Sequence, residues 1–219
     1  MHRPALKGVA TLILKCVSID RPDPAFLTLD PRYQAGFIEA DVLRRYTTQA
    51  DYDMPESFLG RALAVNDECF GIRDGETLAA YGWYSTSANH FSDELTLHFS
   101  PAWVYMYRGF THPSYRGQRL HAIGMTMALE AYRARGFKGL VSCVEARNDN
   151  SLKSVYRMGY HDFGTIYGVR LGRLLGMRHP SSRVLNHQFL YCTPGCRAFG
   201  FWLERTGTVT AGAPQPLKV

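Results

Sequence analysis

Several things are missing from this chain of 219 residues. No run of eighteen apolar residues occurs, so no helix is expected to cross a membrane. Cysteine is scarce and odd in number, five in all and irregularly spaced. That excludes a disulfide scaffold and fits a reducing cytoplasm. There is no Gly-x-Ser-x-Gly elbow, P-loop or dinucleotide fingerprint, which sets aside the usual signs of an α/β-hydrolase, a nucleotide triphosphatase and a Rossmann enzyme. No internal repeat or linker divides the chain, so one domain is expected over residues 1–205. Residues 206–219 are rich in Gly, Thr, Ala and Pro and read as a flexible tail.

Residues 1–19 contain no acid. Lys15 interrupts a short apolar stretch, and no small-residue cleavage site follows, which argues against a secretory signal. A transit peptide is the alternative; the plain reading is a first strand over Thr11 to Val17. Hydrophobic residues make up 46% and charged residues 20%, enough for a packed core. The net charge of +6 leans toward anionic partners but is spread out. Two or three positive charges satisfy a phosphate-bearing ligand, and a nucleic-acid binder is usually more basic and more clustered.

Periodicity predicts a helix from Pro31 to about Tyr46, with Asp30 as its N-cap, and a shorter helix over Ser57 to Val65. Glu68 to Ile72 and Thr77 to Ser85 read as strands joined at Asp74-Gly75, followed by a loop over residues 86–94. Glu94 to Phe99 and Trp103 to Phe110 are further strands. A helix follows from Arg119 to Arg135, with Leu120, Ile123, Met127, Ala131 and Ala134 on one face. A strand over Gly139 to Ala146, a short helix over Ser151 to Met158 capped by Asn150, and a strand from Asp162 to Leu171 complete the pattern. This order predicts an α/β fold with a mixed sheet and helices on both faces.

The loop before the long helix carries chemistry. A helix N-terminus offers free N–H groups and partial positive charge to an anion. Arg116, Gly117, Gln118, Arg119 and His121 surround this one. Thr111-His112-Pro113 followed by Arg116-Gly117-Gln118-Arg119-Leu120-His121 is similar to the first motif of the GNAT acyltransferase superfamily, a hydrophobic-x-Pro element and then (Gln/Arg)-x-x-Gly-x-(Gly/Ala). Asn148, Ser151 and Gly159-Tyr160 match its second motif at the right spacing. The resemblance runs from about Leu78 to Gly168. Earlier only the order of elements agrees, and after about Leu171 there is no match.

The resemblance implies a GNAT-like fold with a mostly antiparallel central sheet. It implies transfer of an acyl group, acetyl by default, from acyl-CoA to an amine by direct attack on the thioester. A longer acyl-CoA or a carrier-protein thioester stays open as donor. Residues 116–122 (Arg116, Gly117, Gln118, Arg119, Leu120, His121 and Ala122) would hold the pyrophosphate, and Phe110, Thr111 and His112 the pantetheine. Asn148 and Ser151 would fix the second motif or a cofactor amide. The acceptor would be a small-molecule or peptide amine, with neither nucleic acid nor membrane as partner, and the protein a monomer or homodimer.

Three departures stand out. The family's two loop glycines are Arg119 and His121 here. The tyrosine that often protonates the departing thiolate is replaced by Val155, with Tyr156 one place on. A one-residue shift turns a helical side chain by about 100°. Tyr156 is the candidate acid, and Glu145, at the end of the strand before Asn148, the candidate base. An alkyl ammonium with a pKa near 10.4 needs such help to lose its proton. Against that role, Glu145 reads as a partner of Arg147 or as a solvated strand end. Tyr105 and Tyr107 read as cleft or core, Glu94 as a binder of cations, and Cys143 as buried filler. His179, His187, Cys192 and Cys196 match no usual zinc spacing, so no metal is expected and Pro194-Gly195 reads as a turn. Two rivals remain: a GNAT-like binding module without turnover, and a basic nucleic-acid-associated protein.

Overall fold

A computed structural model describes residues 9–92, 95–171 and 188–205. The elements in order are β1 (Val9–Ile19), β2 (Gln34–Phe37), α1 (Ala40–Arg44), α2 (Glu56–Ala64), β3 (Glu68–Asp74), β4 (Thr77–Ser85), β5 (Asn89–Ser92) and β6 (Leu95–His98). Then come β7 (Trp103–Thr111), α3 (Leu120–Ala134), β8 (Gly139–Glu145), α4 (Asp149–Arg157), β9 (His161–Leu171), β10 (Gln188–Cys192), α5 (Pro194–Ala198) and β11 (Trp202–Arg205). Eight strands form one sheet in the order β10-β9-β1-β8-β7-β4-β3-β2, and β11-β6-β5 form a smaller one. The mixed sheet with helices on both faces is as the sequence predicts. Among the described residues no helix is long and apolar enough to cross a membrane.

Helices α3 and α4 cover one face. Met125, Leu129, Tyr132, Val155 and Met158 bury there against Val17, Val104 and Met106. Of the expected face of α3, Leu120 is buried and Ile123, Met127 and Ala131 pack partly buried against this core, while Met125, Leu129 and Tyr132 go deeper. On the other face α2 presents Phe58, Leu59 and Ala62 to Tyr81 and Trp83. The small sheet brings Leu95, Leu97, Phe201 and Leu203 against Leu14, Tyr105 and Val141.

The segment 31–46, expected to be one helix, is helical only over Ala40–Arg44. Asp30 Oδ1 accepts the Arg32 N–H at 3.0 Å, which closes a turn and starts no helix. Gln34–Phe37 pairs with β3, Phe37 opposite Phe70, and the Phe37 ring meets Phe70 and Tyr132 edge-on. A cross-strand partner some thirty residues away outweighs the local helical spacing. Residues 89–92, expected in a loop, pair with β6. Pro194 opens the short α5, where a turn is expected.

The N-terminal strand is central. β1 pairs antiparallel with both β8 and β9. Its second half is the buried part, with Leu14, Cys16, Val17 and Ile19 in the core. Strand β7 is antiparallel to β4 and parallel to β8, and the parallel pairing covers only Trp103↔Gly139, Val104↔Leu140 and Tyr105↔Val141.

Candidate active site

Past Tyr105 and Val141 the two central strands separate. The β4–β7 register steps from Trp83↔Arg108 to Tyr84↔Met106, which leaves Tyr107 as an extra residue. Such a bulge bends its strand and ends pairing locally. Ser142 Oγ donates to Met106 O at 2.8 Å where the strands part. A cavity of about 1010 Å³ fills the gap. Its walls are Met106 to Thr111 on β7 (Arg108 apart), Ser142 to Glu145 on β8, and residues of α4. Strand edges freed in this way offer N–H and C=O groups to an extended amide chain.

A second cavity, of about 320 Å³, opens at the N-terminus of α3 and shares Thr111, Arg116, Gly117, His121 and Ser154 with the first. The loop reaches the helix through two left-handed residues, Gly117 at φ 80° and Arg119 at φ 59°. The first backbone bond of the helix is Ile123 N–H to Arg119 O, 3.0 Å. The N–H groups of Leu120, His121 and Ala122 precede it and have no partner within the helix. Arg116, Arg119 and Arg157 all line this mouth. Arg44, Arg45, Arg108, Arg133 and Arg135 are ion-paired, whereas among the described residues these three have no ion pair. Three unopposed guanidinium groups beside free helix N–H groups suit a multiply charged phosphate.

The expected donor-site residues divide. Phe110 and Thr111 line the large cavity, and Arg116, Gly117, His121 and Thr111 stand at the junction of the two. Arg119, Leu120 and Ala122 line the mouth. Asn148 and Ser151 lie on the large cavity, where Asn148 Oδ1 accepts the Ser151 N–H at 3.1 Å. Asn148, not Asn150, therefore caps α4, and the helix starts two residues earlier than expected.

His112 and Gln118 are not brought to either cavity. The His112 N–H donates to Ala79 O at 2.9 Å, its Nδ1 accepts from the Ser114 N–H at 3.3 Å, and its ring lies against Tyr52 and Tyr115. Gln118 Oε1 accepts from Tyr33 Oη at 2.6 Å and Arg32 Nη2 at 3.0 Å, which ties the side chain to the segment before β2. The His121 ring packs against Gly109, leaving no room there for a Cβ. Burial holds its pKa down to about 4, so the ring is neutral at pH 7.

Tyr156 does not reach the cleft. It is 43% exposed, and its hydroxyl donates to Asp162 Oδ1 at 2.7 Å. That bond pushes its pKa up to about 12. Val155 lines the cavity in its stead. The rotation that follows from a one-residue shift accounts for this. Glu145 is exposed on the cavity wall, and among the described residues no ion pair joins it to Arg147.

Cys143, expected as core filler, also lines the large cavity, 3.3 Å from Tyr105 Oη. Burial pushes the thiol up to about 11, so it is no thiolate at neutral pH. Tyr107, at the bulge, donates to Asp67 Oδ2 at 2.9 Å, and Asn89 Nδ2 donates to the same oxygen at 2.9 Å. Burial raises the Asp67 carboxyl above its ordinary value. Glu94, His179 and His187 lie outside the described residues. Within the described residues no group of three or more His, Cys, Asp or Glu is placed to hold a metal.

Sequence reasoning missed Ser154 and Arg157, which the structure puts at the mouth. The signal was present: both follow Ser151 at steps of three along α4, the spacing that keeps side chains on one face.

The Acetyltransferase (GNAT) family matches residues 35–160, more than half of the chain. A protein described as belonging to the GNAT family, from Novosphingobium aromaticivorans, has a similar fold, with a TM-score of 0.50 and 19% identity over 76% of this chain and 69% of that one. A GCN5-related N-acetyltransferase from Sphaerobacter thermophilus gives a TM-score of 0.50 and 13% identity over 74% of this chain and 52% of that one. No protein of curated function matches. This chain belongs to the GNAT acetyltransferase family.

Proposed function

We propose that the protein is an acyl-CoA-dependent N-acyltransferase, with acetyl as the default acyl group. The observation that carries this is the continuity of the cleft between β7 and β8 with the cationic mouth at α3 through five shared residues. A CoA thioester has the matching sequence of parts: a charged pyrophosphate, an extended amide arm and a reactive end.

In this reading Arg116, Gly117 and the N–H groups of Leu120, His121 and Ala122 bind the pyrophosphate. The freed edge of β7 at Phe110 and Thr111 pairs with the pantetheine amides. The thioester lies beyond, between Tyr107 and Cys143. The protonated Cys143 thiol is a poor nucleophile, which favours direct attack by the acceptor over an acyl-enzyme. Glu145, exposed on the same wall, takes the proton of the incoming ammonium, directly or through water. With Tyr156 turned away, no side chain of α4 is assigned to protonate the departing thiolate, and water serves.

The test is release of free CoA from acetyl-CoA across a panel of primary amines. Turnover with at least one amine is expected. Glu145→Gln should lower kcat by about a hundredfold with acetyl-CoA affinity unchanged. One observation favours a second reading, a binding module without turnover: Val155 occupies the place where the family keeps its acid. Tight acetyl-CoA binding with no turnover of any amine would support that reading.

A further inference from the structure

A carboxylate lies behind the cleft wall with no cation to balance it. Asp67 sits between α2 and β3, and its N–H donates to Ala62 O at 2.9 Å. It is 5% exposed and lines neither cavity. Its Oδ2 accepts from Asn89 Nδ2, at the start of β5, and from Tyr107 Oη, at the bulge of β7, each at 2.9 Å. Its Oδ1 is buried and has no hydrogen-bond partner among the described residues. The Ser85 hydroxyl beside it donates instead to Ser87 O at 3.0 Å. Arg108 and Arg135 are held by Asp53 and Glu68, and among the described residues no ion pair reaches Asp67. The titratable groups that face it, Tyr107 and Tyr132, are pushed up by burial and stay neutral at pH 7. A carboxylate buried without a cation favours its protonated form.

Tyr107 connects this carboxyl to the cleft. Its ring lines the wall where the two strands part. Its one hydroxyl proton goes to Asp67, so toward any other group the oxygen can only accept. The reaction assigned above has a place for such a group. An ammonium loses two protons on its way to an amide, and Glu145 takes the first. The second leaves after the nitrogen has bonded to the thioester carbon. Until then the cationic nitrogen is the better leaving group and the adduct falls back; afterwards the thiolate is.

We propose that Tyr107, backed by Asp67, takes this second proton. The proposal rests on the N-acyltransferase reading and deepens it. The N–H bond breaks with its electron pair left on nitrogen. That proton passes to Tyr107 Oη as the Tyr107 proton moves to Asp67 Oδ2. The C–S bond then breaks with its pair on sulfur. Asp67 returns its proton through Tyr107 to cleft water, which protonates the thiolate. Tyr107 is the catalytic group, and Asp67 is a positioning residue that aims its hydroxyl.

The test compares the alkylamine that the parent protein acetylates fastest with its weakly basic fluorinated analogue, acetyl-CoA being the donor. A weakly basic nitrogen gives its second proton to water unaided. Asp67→Asn and Tyr107→Phe should each lower kcat for the alkylamine by about a hundredfold, and for the fluorinated amine by less than about fivefold, with the KM for acetyl-CoA unchanged. Raising the pH toward the ammonium pKa of about 10.4 should restore Glu145→Gln and leave Asp67→Asn slow. Asp67→Asn keeps the shape and removes a buried charge, so its unfolding midpoint should not fall. Equal losses with both amines would make Asp67 a structural support and overturn the proposal. Unchanged rates, recovery of Asp67→Asn at high pH, or acetylation of weakly basic amines alone would overturn it too. Acetylation of no amine by the parent protein would sink the N-acyltransferase reading itself, and this proposal with it.

Discussion

His121 occupies a position where the family pattern has a small residue, and its ring fills the space above Gly109. Its folded pKa of about 4 lies below the unfolded value of about 6.5. The unfolded chain therefore takes up this proton first. The contribution to stability is whole above about pH 6.5 and lost as pH falls toward 4, by about 3 kcal/mol at most. Urea midpoints at pH 7 and pH 4.5 should draw apart less in His121→Asn than in the parent chain. An unchanged gap would show that the ring is open to water. A Cβ at Gly109 would fall against the His121 ring and the end of Met106, so Gly109→Ala should push that ring aside and weaken CoA binding in a calorimetric titration. The sequence showed that Arg119 and His121 replace glycines. It could not show that Arg119 takes a left-handed backbone while His121 packs inward, because φ and packing depend on neighbours far along the chain.

At the scale of elements, α4 sets much of the site. The sequence pointed to Asn150 as its N-cap, and the structure gives that place to Asn148. The choice of Asn148 follows from its bond to the Ser151 N–H. Asn148→Ala should cost about 1 kcal/mol of stability, as loss of an N-cap does. Asn150→Ala, with no cap to lose, should stay within about 0.5 kcal/mol. Equal effects in denaturant titrations would contradict the assignment. The same helix shows why Tyr156 stands outside the cleft: one step of helical rotation takes it to Asp162, and Val155 faces the cleft. That much followed from spacing alone. The bulge at Tyr107 did not, because pairing register belongs to two strands and β4 and β7 lie far apart in the chain.

Across the whole molecule, the least legible feature is the place of β1. Its Leu, Ile and Val residues announced a strand, yet nothing local tells that it enters between β8 and β9. Once there, it supplies hydrogen-bond partners to both and carries Cys16 and Val17 into the core. β8 is one wall of the cleft, so the N-terminal strand supports the site without touching it. Deleting residues 1–19 should strip both neighbours of their pairing and leave no cooperative thermal transition. A truncated chain that unfolds cooperatively near the parent temperature would contradict this topology. The 31–46 segment teaches a related lesson. Tyr33, Phe37, Ala40 and Leu43 have helical spacing, but Phe37 is held by Phe70 across the sheet, a partner no local window contains.

The central claim is that the parted strands and the cationic mouth form one acyl-CoA site. Thermal unfolding with and without acetyl-CoA addresses it most directly. At a hundred times its Kd a ligand stabilises the folded state by about 2.7 kcal/mol, an upward shift of about 5–10 °C for a chain of this size. The account predicts that shift, and its reduction in Arg116→Ala. No shift at saturating acetyl-CoA, in a protein that unfolds cooperatively, would contradict it.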